Sequence, residues 1–149
     1  MHNIYDSATV QEINQRINQL TPASQAQWGK MNVAQMMAHA AIPLEIALGE
    51  RTSESSLFAR IIGPLARKIA TDQKPFKRSL PTNPDFVVAD EKNFDIEKAR
   101  LAGAIHRFSM AGAEKMNSVR HPFFGKLTGH EWSNLMVKHL DHHLRQFGA

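Results

Sequence analysis

From Thr128 to Phe147 the chain repeats its apolar residues at helical spacing, and the stripe they form carries two histidines. At about 100° per residue, Trp132, Leu135, Met136, His139, His143 and Gln146 share one narrow face, while Lys138, Asp141 and Arg145 point the other way. Such a face belongs in a core, so this helix has to pack against others. Burying two imidazoles there costs free energy unless each finds a partner.

Histidines at i and i+4 are also how one helix offers two nitrogen ligands to a single cation. From spacing alone, a metal pair and a pair of hydrogen-bonded core histidines account for the pattern equally well. The chain has no cysteine, which excludes disulfides, thiolate nucleophiles and sulfur-ligated zinc.

Three further main helices are expected. The first begins near a Ser7 cap and carries Val10, Ile13, Ile17 and Leu20, ending at Thr21-Pro22. Trp28-Gly29 follows in a turn whose large aromatic plugs an end of the core. The second helix starts at Asn32, with Gln35 three residues on as a capping box, and runs to Leu48. Met36, His39, Ile42, Pro43 and Ile46 share a face of it. Pro43 cannot donate to the carbonyl of His39, so a bend is expected there. The third main helix spans about Asn93 to Ala111, with Phe94, Leu101, Ala104, Ile105 and Phe108 inside.

The stretch from Glu50 to Lys92 differs. Leu57, Phe58, Ile61, Ile62, Leu65 and Ile69 make a short amphipathic helix after Ser55-Ser56 caps, bent or split at Gly63-Pro64. Residues 71–90 hold Pro75, Pro81 and Pro84 and read as an ordered, non-helical excursion. A connection this long is functional or a crossing. His121-Pro122-Phe123-Phe124-Gly125 reads as a packed turn in which His121 is structural. The last helix opens with a second capping box, Thr128 and Glu131. No strand pattern or repeat is evident, so the expected fold is all-α: one domain, a four-helix bundle with a long crossover carrying a short extra helix.

The net charge of +4 is mild, and the only dense basic group is Lys74, Lys77 and Arg78, so nucleic acid is disfavoured as a partner. The start of the chain lacks the basic, apolar pattern of a signal peptide. The most apolar window, Val33 to Leu48, is interrupted and too short to span a bilayer. A cytoplasmic protein is the expectation.

Of the eight histidines, His39, His139 and His143 face the bundle interior. They meet only if the second and last helices run antiparallel. The short first connector makes helices one and two antiparallel, and the long crossover lets the third run parallel to the second. The resulting up-down-down-up order gathers all three at one end. Three neutral imidazoles suit zinc, nickel or ferrous iron, and the absence of a fourth protein ligand leaves a position open, as in reactive rather than structural sites. His142, which flanks the stripe, and Gln146, which lies on it, are candidate pocket residues. The crossover enters at this end too, so Lys74, Lys77 and Arg78 are available to contact an anionic substrate. No general base is identified, since Asp141 faces away.

Several blocks of the chain resemble a known family. The run Trp28-Gly29-Lys30-Met31-Asn32-Val33-Ala34-Gln35-Met36-Met37-Ala38-His39 is similar to the second-helix block of an uncharacterised branch of the DinB-like (YfiT-like) superfamily. So are Lys74-Pro75-Phe76, His121 to Thr128, and Lys138 to Phe147. The resemblance implies a four-helix bundle that binds a divalent metal through His39, His139 and His143. It also implies a homodimer and a metal-dependent small-molecule enzyme, a thiol-dependent transferase or a hydrolase, with a small thiol such as glutathione as cosubstrate. The alternative is a non-catalytic metal-binding or stress-associated bundle.

Overall fold

Capping decides where two of the helices begin. The computed structural model describes residues 2–53, 57–78 and 84–149, without the side chains of residues 57–60 and 64. The Asn32 side chain accepts from the Gln35 amide while Gln35 returns the bond to the Asn32 amide, both at 2.9 Å, and α2 follows over Val33–Ala47. Thr128 and Glu131 do the same for α5, Gly129–Gln146, at 3.2 and 2.8 Å. Each box satisfies two amides that a helix start leaves without partners. Helix α1 spans Ser7–Gln19; its cap position is Asp6 rather than Ser7, and no side chain caps it.

Helix α2 runs unbroken through Pro43 and is buried on nearly every face, as expected of a helix that is apolar all round. Its one buried acid, Glu45, takes a two-pronged bond from Arg100 of α4, at 2.5 and 2.6 Å, and Arg100 also reaches Glu97 at 3.0 Å. Helix α4 spans Phe94–Met116 and buries Leu101, Ala104, Ile105 and Phe108. Its dihedrals leave the helical region at Gly112, where the helix had been expected to close. Helix α2 packs most extensively on α4, α5 packs on both, and α1 lies against α4 and α5.

The fold is therefore mostly helical, but it corrects three further expectations. Arg120–His121 and Gly125–Lys126 form a small antiparallel β-hairpin, β1 and β2, where no strand was expected. Two residues per strand are too few to leave an alternating pattern.

Helix α3, Leu57–Thr71, is one continuous helix, which rules out the split, though not the bend, expected at Gly63-Pro64. Its C-terminal half docks on α5, with Arg67 bonding Glu131 at 2.8 and 2.5 Å and Lys138 capping the Ile69 carbonyl at 2.6 Å. That anchoring outweighs the local cost of a proline in the helix. Only glycine fits at position 63, because a Cβ would collide with the Phe123 carbonyl. The expected Ser55-Ser56 caps and Pro81 lie outside the described residues, as do the side chains of Leu57, Phe58 and Pro64.

The third correction concerns Lys138, which is buried rather than solvated. It bonds Asp72 at 2.7 Å and lies 4.4 Å from the centre of the Phe76 ring. The aliphatic stem of lysine allows this once its ammonium has partners. No helix among the described residues is long and apolar enough to cross a membrane.

Candidate metal centre

Helices α2 and α5 bring His39, His139 and His143 together, with one ring nitrogen from each lying within 4.8 Å of the others. Centroids are 4.6 to 5.1 Å apart. The Nε2 atoms of His39 and His139 face each other at 3.2 Å. Two nitrogens bound to one tetrahedral zinc at ordinary bond lengths stand about 3.3 Å apart. The spacing already suits a shared ion.

Which nitrogen faces the centre is set from outside it. Nδ1–H of His39 donates to the Phe86 carbonyl at 2.7 Å, so Nε2 keeps its lone pair. His143 is held by a relay. Gln146 donates from Nε2 to the Trp28 carbonyl at 2.6 Å, which turns its own Oε1 toward His143. That oxygen can only accept, so Nδ1–H of His143 donates to it at 2.9 Å. Outer bonds of this kind fix the tautomer and direction of metal-binding imidazoles. His139 has no such anchor, and its buried Nδ1 has no partner.

All three rings are neutral at neutral pH. Burial holds His143 down at about 3, reinforced by His39. Burial lowers His139 well below its ordinary value, with His143 and His39 adding to the effect. It also lowers His39, against the opposing bond to Phe86. His39 and His143 thus present inward lone pairs, the protonation state a metal ligand needs, while Nε2 of His139 faces that of His39 and can join them once its proton is on Nδ1.

The centre sits in the wall of a cavity of about 830 Å³, lined by apolar groups such as Phe76, Phe86, Phe123, Leu135 and Met136. The crossover covers the site as anticipated, but with different residues. Phe86 and the run Val87 to Ala89 line the cavity, whereas Lys74 and Lys77 are exposed and do not. Arg78 lies over the Trp28 ring at 4.3 Å, outside the main cavity. His142 is half-buried between Trp28 and Phe76, at 5.7 and 6.0 Å, and lines the cavity without bonding the three histidines.

Two contributors went unseen in the sequence. One is the Phe86 carbonyl, a backbone group with no signature of its own. The other is His121, which lines the cavity while its Nδ1 accepts from the amides of Phe123 and Phe124 at 3.1 and 3.2 Å. Those bonds put the proton on Nε2. Only the adjoining Pro-Phe-Phe hinted at its place.

The relay makes Gly29 a sensitive position. It sits at φ 84°, and an added Cβ would lie 2.5 Å from Nε2 of Gln146. We expect Gly29→Ala and Gln146→Ala each to weaken zinc binding by about 10- to 100-fold, the usual cost of losing an outer partner. Competition with a chromophoric chelator measures this; unchanged affinity in both variants contradicts the relay.

The metal-free protein should also lose stability between pH 7 and pH 5. Burial holds His121, like His143, at about 3 in the folded state, against about 6.5 unfolded. Protons therefore bind the unfolded chain first, and stability present above about pH 6.5 falls as the pH drops, by about 2 kcal/mol per histidine at pH 5. Glu131, held down at about 2 mainly by Arg67, acts only below its ordinary carboxylate range and leaves this window clear. Urea midpoints at the two pH values test this, and His121→Gln should flatten the slope.

A family model described as "Protein of unknown function (DUF1569)" matches residues 5–149. No curated protein and no solved structure matches the chain.

Proposed function

We propose that this chain, which belongs to the DUF1569 family, holds one divalent metal ion on His39, His139 and His143 and uses it on a small molecule. The observation that carries the reading is the pairing of inward lone pairs with a roomy cavity at the same point. A metal with an open position lowers the pKa of bound water or of a bound thiol and polarises an electrophile. We assign the reaction to a thiol-dependent transferase or a hydrolase, with zinc, nickel or ferrous iron as the ion and a small thiol such as glutathione as cosubstrate.

The chain's own part is orientation and an apolar setting. Phe86 and Gln146 hold two of the rings, and the aromatic walls offer an apolar surface beside them. His142 is the fourth histidine beside the centre, 5.1 Å from His143 between ring centres, and burial lowers its pKa. It is our candidate to accept a proton from an incoming thiol or water, because no Asp or Glu lines the cavity among the described residues.

The DinB-like relationship, with its up-down-down-up four-helix bundle, belongs to the same proposal. The mutual packing of α1, α2, α4 and α5 and the meeting of the three histidines support it. A homodimer comes with that relationship, and the exposed apolar stripe of Ile61, Leu65 and Ile69 on α3 favours it; a cytoplasmic location is proposed separately, from the sequence.

The test is a screen of metal-loaded protein against thiols and electrophiles. Turnover in the wild type and none in His139→Ala is the expected result. No turnover in a protein shown to carry its metal contradicts the enzymatic reading and leaves the non-catalytic metal-binding alternative.

A further inference from the structure

We infer that the ligand of this cavity is a small amphiphile, with a monoanionic head at the three histidines and an alkyl or aryl body along the aromatic wall. The head assignment rests on the metal reading above; the body rests on the cavity alone.

Charge decides the head. Three neutral imidazoles leave the full charge of a divalent ion uncompensated, and no carboxylate lines the cavity among the described residues. The one charged side chain in that lining is Lys30, also positive. A buried charge without a counter-charge is costly. An anionic head supplies the counter-charge, whereas a cationic ligand adds to the imbalance.

The walls decide the body. Phe86 stands edge-on to His39 at 6.5 Å between ring centres and edge-on to Phe123 at 5.9 Å, so an apolar surface leads directly away from the histidines. Phe76, Phe124, Leu135 and Met136 extend it. A volume of about 830 Å³ lies within the ordinary range for small-molecule sites. Of the polar groups that line it, Gln35 is held by the Ala89 and Asp90 carbonyls at 3.2 Å and Gln146 by the Trp28 carbonyl, which leaves Nε1–H of Trp28 and the Lys30 ammonium among the few donors a ligand body could meet. A sugar-like or polycationic body would leave most of its polar atoms without partners.

Calorimetric titration of the zinc-loaded chain with straight-chain alkanoates, from butanoate to nonanoate, tests this. Alkanols and alkylammonium ions of matched length are the comparison series. Affinity for the alkanoates should rise about fourfold per methylene, the gain expected from burying one CH₂, with the ammonium series at least 100-fold weaker. Val88→Trp, a substitution in the wall, should remove the gain for longer chains. A flat alkanoate series on protein that binds zinc overturns the inference and leaves the metal reading standing. Equal binding of alkanoate and alkylammonium overturns the anionic head. If zinc does not bind while the alkanols still gain with length, the metal reading fails, the head assignment falls with it, and the apolar body is upheld.

Discussion

Zinc at about 100 times its dissociation constant should stabilise the wild-type chain by about 2.7 kcal/mol. For a domain of this size that raises the melting temperature by about 5 to 10 °C, and replacing His139 with alanine should remove the shift. The affinity itself should fall by about two to three orders of magnitude, since a four-ligand structural zinc site draws about 3 to 4 kcal/mol from each ligand. His139 is the informative member. Its Nε2 faces that of His39 at 3.2 Å, and its Nδ1 has nothing to bond. As a ligand, through Nε2, it completes a set of three. Thermal melts with and without zinc separate this role from that of a core residue. A wild type indifferent to zinc, destabilised by His139→Ala alone, contradicts the metal centre.

Replacing Arg100 with alanine should destabilise the fold by about 3 to 5 kcal/mol, the cost of leaving buried charge without its partner. Arg100 holds Glu45 through two bonds and Glu97 through a third, and both carboxylates lie in the contact between α2 and α4. Without the guanidinium, two buried acids face each other. Lysine should recover only part of the loss, because an ammonium cannot span both oxygens of Glu45. The urea midpoint should fall with little change in slope. Since His39 lies on the same helix as Glu45, zinc binding in Arg100→Ala should track the folded fraction. A loss below about 1 kcal/mol contradicts this account of the helix contact.

The helical part of the site was legible because helices advertise their faces. Residues three and four apart share a side, so His139 and His143 could be placed together from the sequence, and the two capping boxes fixed where α2 and α5 start. His39 could be added because the crossover is long enough to let those helices meet.

What stayed hidden came from contacts that leave no period in the sequence. The Phe86 carbonyl fixes His39 from a single 3-10 turn, Pro84–Phe86, inside the excursion expected to be non-helical, by a backbone atom that every residue possesses. Lys138 read as a solvated residue, yet it is buried because Asp72 and the end of α3 happen to meet its ammonium. The basic residues of the crossover were the visible candidates for covering the site. Its apolar ones do so instead, because the cavity behind them is aromatic. His121 reads in the sequence as a structural histidine of a packed turn, which its bonds to the Phe123 and Phe124 amides agree with, but a turn says nothing of which wall it completes.

X-ray absorption at the metal edge of zinc-loaded protein tests the central claim most directly. The account predicts one ion per chain, with three imidazoles and a further light-atom ligand at about 2.0 to 2.1 Å. A protein that retains no ion after loading and desalting, or an ion whose surroundings lack the scattering of three imidazole rings, contradicts it.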